Sequence, residues 1–442
     1  MKFPGRINQF VIALIIAVSI VVVLISSRIF KSFTDEREDP EISWLIRLLN
    51  NIFGYLIVIV PLYLVLKFVH FSGYLDVPGI GALPRLIRRC FAEPVQLELL
   101  DSGSGVSKNQ TSTSTTPKLL FCVLGLLSSY LTWGFLQEKV MTREYVSANG
   151  DVAKFKDSQF LVFVNRILAF CLAGIYLTVK PDGSNRSLPM YKYMLCSLSN
   201  ILSSFCQYEA LKYVTFPLQV LAKSCKVIPV MIMGKCVSSK KYENYEYITA
   251  VMISLGMAAF LLGQESTSAK GKTVVETTLP GILLLISYLT CDSFTSNWQG
   301  KLFSQYKVSS VQMMLGVNLF SCLLTTTSLL EQGAFPAAAA FMTKFPAFVT
   351  DCVVLSICSA IGQLFIFYTI SQFGAVTFTI IMTIRQGLAI LLSCIFYGHD
   401  VSVIGFLGII FVFLAVFLRM YCAQRLKAIR QRRLAQSSNL AV

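Results

Sequence analysis

Histidine is almost missing from this chain: only His70 and His399 occur, both near the ends of apolar runs. Histidine-based acid–base chemistry and imidazole-bound metals therefore have very little to draw on. Charge is scarce too, at 14% of residues against 55% hydrophobic, where a soluble domain carries roughly 25% charged residues. No GxxxxGK loop is present, so ATP hydrolysis is not expected to supply energy. No acidic pair in a loop between apolar runs resembles a glycosyltransferase site, and the period-2 alternation of a membrane barrel is absent. Thirteen cysteines occur, but nearly all fall inside apolar runs (Cys122, Cys171, Cys206, Cys225, Cys358, Cys394). They lack the clustered spacing of a disulfide or zinc framework and read as small packing residues. No metal, no cofactor and no enzymatic step is expected.

What the chain has in abundance is length of apolar sequence. Runs of roughly 18 to 23 residues recur, each long enough to cross a hydrocarbon core of about 30 Å. Backbone groups in lipid must be satisfied internally, so these runs predict helices and an all-α polytopic membrane protein. Mean hydropathy is +0.66, in keeping with that class. The net charge of +15 suggests nucleic acid at first sight. Its basic residues lie mostly in short loops and in the tail Arg419, Arg425, Lys427, Arg430, Arg432, Arg433, the pattern of the positive-inside rule. The expected partner is a lipid bilayer, with no nucleic acid.

The spans divide the chain. Residues 1–69 hold two N-terminal hydrophobic spans, about Phe10–Ile25 and Trp44–Phe68. The first follows Lys2 and Arg6 and lacks a small-x-small cleavage site; a retained signal anchor is expected, with a cleaved signal peptide as the alternative. Residues 70–117, with Arg85, Arg88, Arg89 and a Ser/Thr-rich stretch, read as a cytosolic linker. Residues 118–422 read as a ten-helix domain, with spans near 118–140, 159–179, 190–212, 215–236, 245–263, 279–299, 309–330, 348–370, 373–397 and 402–421. Residues 423–442 form a basic cytosolic tail. Loops carrying Lys180, Arg186 and Lys192, then Lys240 and Lys241, then Lys301 and Lys307 fall on the tail's side, so both ends of the domain are expected in the cytosol. Arg143, Lys154 and Lys156 fall on the lumenal side, offset by Glu144, Asp151 and Asp157. The sequons at Asn109 and Asn185 fall on the cytosolic face and are expected to stay unglycosylated.

A weak internal repeat runs through the domain. Ser129-Tyr-Leu-Thr132 recurs as Ser287-Tyr-Leu-Thr290, and Phe205 and Tyr208 match Phe365 and Tyr368. Each half then holds five spans, and an odd number inverts one half relative to the other. Inverted five-helix repeats are an architecture of secondary transporters; chance likeness between apolar segments is the competing explanation.

The chemistry concentrates in VLAKSCKVIPVM, Val220 to Met231. Gln219, Lys223 and Lys226 are spaced i, i+4, i+7 and predict one stripe on a helix. Pro229 lies just beyond and predicts a weakened helix, since it cannot donate to the carbonyl of Cys225. A charge at this depth costs at least about 2.5 kcal/mol even on lenient insertion scales, which favours a cationic binding site over snorkelling. An offset of 160 maps the stripe onto Thr379, Thr383 and Gln386, with Arg385 adjacent. Two lysines and an arginine would make a pocket for a strongly anionic ligand, arginine binding phosphate or sulfate bidentately and lysine acting as a point charge. Further candidates at membrane depth are Gln207, Tyr208, Glu209, Asn165, Arg166, Gln363 and Tyr368, and the polar stretch Asp292, Ser293, Ser296, Asn297. Tyr130, Trp133, Tyr208 and Tyr368 offer rings for stacking a base, although helix packing is the commoner role of such rings.

From about Lys118 to Arg425 the chain resembles the nucleotide-sugar transporter family of the drug/metabolite transporter superfamily, on Lys223-Ser-Cys-Lys226 followed by Val-Ile-Pro-Val-Met. The segments SYLTWGFLQEKVMTREY (129–145), CQYEALKYVTFPLQVLAKSCKVIPVM (206–231), DSFTSNWQ (292–299), SSVQMM (309–314) and GQLFIFYTISQFGAVTFTIIMTIRQ (362–386) are similar to its branch for 3′-phosphoadenosine 5′-phosphosulfate (PAPS). The resemblance implies ten helices, alternating access, and import of PAPS into the Golgi lumen for sulfation. It implies exchange for adenosine 3′,5′-bisphosphate or AMP, with Lys223, Lys226 and Arg385 as binding positions. Many members carry a second basic residue where this chain reads Gln386. A carrier of a UDP-sugar or ATP is the alternative, and a homo-oligomer is left open. The ending SSNLAV has no dilysine or KDEL-type signal, as expected for Golgi residence.

Overall fold

The computed structural model describes residues 5–34, 43–72, 74, 87, 90–91, 112–147, 151–153, 155, 158–180, 188–210, 213–214, 219, 222–223, 225–268, 279–306, 308–397 and 403–440. Among them the chain is helical almost throughout. The helices are α1 (Gly5–Thr34), α2 (Ser43–Phe71), α3 (Ser112–Thr142), α4 (Ser158–Val179), α5 (Tyr191–Ala210), α6 (Val227–Ser238), α7 (Asn244–Ser268), α8 (Leu279–Gln305), α9 (Ser310–Gln332), α10 (Ala334–Lys344), α11 (Pro346–Tyr397) and α12 (Val403–Leu440). One small antiparallel hairpin joins them, β1 (Tyr145–Val146) with β2 (Val152–Ala153).

Eight helices among the described residues are long and apolar enough to cross a membrane; α6 is a shorter apolar helix. Their outward faces carry exposed Phe10, Val22, Phe121, Ile175, Ile248, Ile286 and Phe406, side chains for which hydrocarbon is the fitting solvent. α11 is two helices meeting at Gly374, whose φ of 81° only glycine adopts without strain. That break answers to the gap expected between spans 348–370 and 373–397. Helix α3 begins at Ser112, inside the stretch read as linker, and α12 continues through the basic tail. Residues 35–42 between the first two helices, most of the linker and both sequons lie outside the described residues.

The chain falls into two compact units. Residues 1–201 and 302–372 form the first; residues 202–301 and 373–442 form the second. Each therefore draws on both halves of the domain that the sequence divides at about residue 270.

In the first unit, α1 packs on α2, and α9 packs on α2, α4 and α10. One of its cores is aromatic: Tyr145, Phe155, Phe160, Phe345 and Phe348 are buried with Val140, Leu329 and Leu355. The N-terminal helices are tied to α9 by polar groups. Ser27 and Lys31 of α1 both bond Glu331. Asn51 of α2 accepts from Ser328 (2.9 Å), Gln332 (2.9 Å) and Gln159 (3.2 Å). In apolar surroundings such a network stays in place because an unmade bond costs more than a made one gains. At one end of this unit Asp351 meets Lys139 (3.0 Å), Arg143 (3.3 Å) and the Tyr145 hydroxyl (3.1 Å). Asp151 pairs with Lys344 at 2.8 Å, so Arg143 and Asp151 find opposite charges outside their own loop; Lys154, Lys156 and Asp157 lie outside the described residues.

In the second unit, α7 packs on α6 and closely on α12. The approach needs glycine: a Cβ on Gly408 would lie 2.6 Å from the carbonyl oxygen of Gly256. Val230, Met231, Ile253, Met257, Phe260, Ile380 and Val412 fill the core. Arg419 bonds Glu246 at 3.1 Å, tying the middle of α12 to the start of α7.

Candidate functional site

The site is built from the backbone break expected at Pro229, which the structure places earlier. The N–H of Lys226 donates to Lys223 (3.4 Å) and that of Ile228 to Cys225 (3.3 Å), the tight i to i+3 pattern of a turn. Helix α6 then starts at Val227, with Lys226 at its N-cap position. Pro229 thus falls in the first turn, where a missing N–H leaves no helical bond unmade. The carbonyl of Cys225 is served by Ile228 instead. This corrects the reading of Gln219, Lys223 and Lys226 as one stripe on an unbroken helix: the lysines bracket a turn that opens a new one.

That placement has an electrostatic consequence. The N-terminus of a helix carries partial positive charge and favours anions. Lys226 adds a full positive charge there, so the position calls for a counter-charge. Asp292 of α8 provides it, in an ion pair with the Lys226 ammonium. The ammonium also lies 6.0 Å from the centre of the Phe378 ring. Lys223 is within electrostatic reach of Arg385, Asp292 and Lys226, yet has no ion pair of its own among the described residues. The charges of Asp292 and Arg385 also act on buried Tyr288. Lys223, Lys226, Arg385 and Asp292 therefore share this part of the second unit.

Neighbouring polar groups fix the frame. Both amide hydrogens of Asn297 are used, on the carbonyls of Val230 (2.8 Å) and Ser293 (3.0 Å), which fastens α8 to α6. Lys301 adds a second tie to the Val237 carbonyl at 3.1 Å. Gln219 is buried and donates to the Gln207 carbonyl at 2.7 Å. Thr383 donates to the Thr379 carbonyl one turn back, at 3.0 Å. The side chain of Tyr208 lies outside the described residues.

Of the remaining sequence candidates, Gln363 and Tyr368 belong to the first unit. Buried Gln363 accepts from Asn318 at 2.8 Å and Tyr368 is half-buried. Asn165 likewise accepts from Ser356 at 2.7 Å. Tyr130 and Trp133 meet edge to face, 5.9 Å between centres.

From the sequence Asp292 is one polar residue among several at membrane depth; the structure makes it the partner of Lys226. The signal was available, since an acid at membrane depth is expected to have a cation beside it. The hairpin and α10 gave no such signal, being too short to show a period. Among the described residues no cluster of His, Cys, Asp and Glu is arranged to hold a metal.

Residues 118–423 match the pattern of the UAA transporter family. The adenosine 3′-phospho 5′-phosphosulfate transporter 1 of Drosophila melanogaster is 48% identical over 461 residues, spanning 99% of this chain and 98% of that protein. The human protein of the same name is 51% identical over 392 residues, 87% of this chain and 88% of its own. The UDP-galactose/UDP-glucose transporter 5B of Arabidopsis thaliana is 40% identical over 300 residues, 67% of this chain and 86% of its own. On a family match that covers most of the chain and relatives aligned over nearly their whole lengths, this multi-pass membrane protein belongs to the UAA transporter family and is a transporter rather than an enzyme.

Proposed function

We propose that the chain carries PAPS from the cytosol into the Golgi lumen, in exchange for adenosine 3′,5′-bisphosphate or AMP, and so supplies sulfation. The observation that carries this reading is the gathering of Arg385 and Lys226 within electrostatic reach of Lys223, where Asp292 pairs with Lys226. A ligand with both a phosphate and a phosphosulfate group brings several negative charges to meet those cations. The names of the Drosophila and human relatives supply the choice of PAPS. Arg385 suits a bidentate oxyanion contact, and the lysines act as point charges. Gln207, Tyr208, Gln219, Thr383, Asn297, Gln363 and Tyr368 remain proposed contacts or supports, to be separated by single substitution.

Movement follows from the same reading. Lys226 and Arg385 come from segments that the offset of 160 makes equivalent, one in each inverted half. Alternating access about such a pair needs no hydrolysed nucleotide, only a gradient of the exchanged ligand.

The test is uptake by purified protein in liposomes preloaded with AMP or adenosine 3′,5′-bisphosphate. Labelled PAPS is expected to accumulate, and to do so only with preloading. Accumulation of a UDP-sugar with none of PAPS would overturn the substrate. That second outcome is kept because of the Arabidopsis relative and its name.

A further inference from the structure

The carboxylate in a site read as anion-binding needs its own explanation. Asp292 repels any phosphate that approaches Lys226, so ligand affinity alone argues against an acid at this position. Nor does pairing Lys226 require sealing it: the two side chains keep 14% and 22% of their surface exposed. The frame around them is fixed, since Asn297 and Lys301 both tie α8 to α6. What is free to move is the lysine stem, with its rotatable bonds.

We propose that Asp292 is a built-in substitute for the ligand's anion: it neutralises Lys226 in the empty carrier and gives it up to the ligand. The inference rests on the reading of Lys226 as an anion contact. In the empty carrier, a lysine at a helix N-terminus within electrostatic reach of Lys223 meets like charge there unless an acid is present. Asp292 removes that cost. When an anion enters, Lys226 swings to it, and ligand and Asp292 compete for one ammonium. Two consequences follow. Binding is weaker than three cations would give, which lets the delivered ligand leave. Ligands with little charge compete poorly, so the acid sets a minimum of negative charge for a ligand to be held. Asp292 is thus a specificity-determining residue whose contribution is opposition.

The experiment compares full-length wild type with Asp292→Asn in liposomes, using PAPS and AMP as internal and external ligands. The KM for PAPS is expected to fall roughly five-fold or more, within the usual range of coupling between competing interactions, while turnover falls because release slows. The KM for AMP should fall by a larger factor, narrowing discrimination by charge. In detergent, Asp292→Asn should melt at a lower temperature than wild type when empty, yet gain more from added PAPS. An unchanged or raised KM, with the same ligand-induced gain in melting temperature as wild type, would show a purely structural pair and overturn the proposal. Should Asp292→Asn not reach the membrane, infrared difference spectra of wild type decide the matter. PAPS should shift a carboxylate band, assigned through the charge-keeping Asp292→Glu; the absence of such a shift overturns the proposal. If wild type carries a UDP-sugar and not PAPS, the substrate reading fails by itself, and the same comparison runs with that sugar nucleotide.

Discussion

Two carboxylates in this protein each sit among a surplus of cations, and the two units use them differently. Asp351 in the first unit is reached by Lys139, Arg143 and the Tyr145 hydroxyl at 3.0 to 3.3 Å. Those two cations are 38% and 48% exposed, so water carries the excess charge. Burial, then the charge of Asp351, pushes the Tyr145 hydroxyl above its ordinary range and keeps it a neutral donor. Every group in this cluster has a partner, and the cluster works as a clasp. Around Asp292 in the second unit the balance differs: Lys226 takes the carboxylate, and Lys223 has no ion pair among the described residues. The excess charge sits among helices, where solvation is poor. On the proposed reading, surplus charge is structural where water reaches it and functional where an arriving ligand must supply the answer.

Breaking the second cluster should have the largest effect. Lys223→Ala, Lys226→Ala and Arg385→Ala are each expected to cut PAPS uptake by a factor of roughly 30 or more, the scale of removing one member of a buried charge contact. Initial rates in liposomes check this, with microscopy confirming unchanged membrane targeting. Normal uptake by all three would dissolve the contrast between the clusters.

Loosening the frame comes next. Asn297→Ala removes two buried side-chain hydrogen bonds, to carbonyls that keep their helical donors, and should lower stability by about 2 kcal/mol. Its uptake should fall less than that of the lysine variants, and the thermal unfolding of purified protein would register the first change. Asp351→Asn probes the clasp: about 1 kcal/mol of stability should go, mostly through the weakened pair with Lys139. The KM for PAPS should not move, and a shifted KM would mean that the clasp is part of the transport site. Smallest of all, Arg143→Ala should change stability by no more than about 0.5 kcal/mol, because its half-exposed charge is already solvated. Melting curves at low and high salt would separate that residual effect.

Much of the fold was legible in the sequence, and for a local reason. A helix in lipid must satisfy its own backbone, so span lengths and apolarity can be read one segment at a time. Hence α4, α8 and α9 fall where the apolar runs put them. The break at Gly374 was legible as a gap between spans, and Pro229 announced a disturbed helix. What escaped was the direction of that disturbance: the proline opens α6 instead of weakening a longer helix. Gln363 shows the other failure. From the sequence it is a polar residue at membrane depth, like Gln219; only packing reveals that it accepts from Asn318.

By itself, the sequence determined the membrane class and the expected depth of Lys223, Lys226 and Arg385, from which an anionic ligand is proposed. Hydrophobicity, charge and helix-breaking residues act within a few positions along the chain, so no fold is needed to read them. Tertiary structure alone decided which cation takes the Asp292 carboxylate. Lys226 and Asp292 are distant in the chain and meet through the ties between α6 and α8. Electrostatic pairing depends on distance in space, and that distance is set only when helices pack.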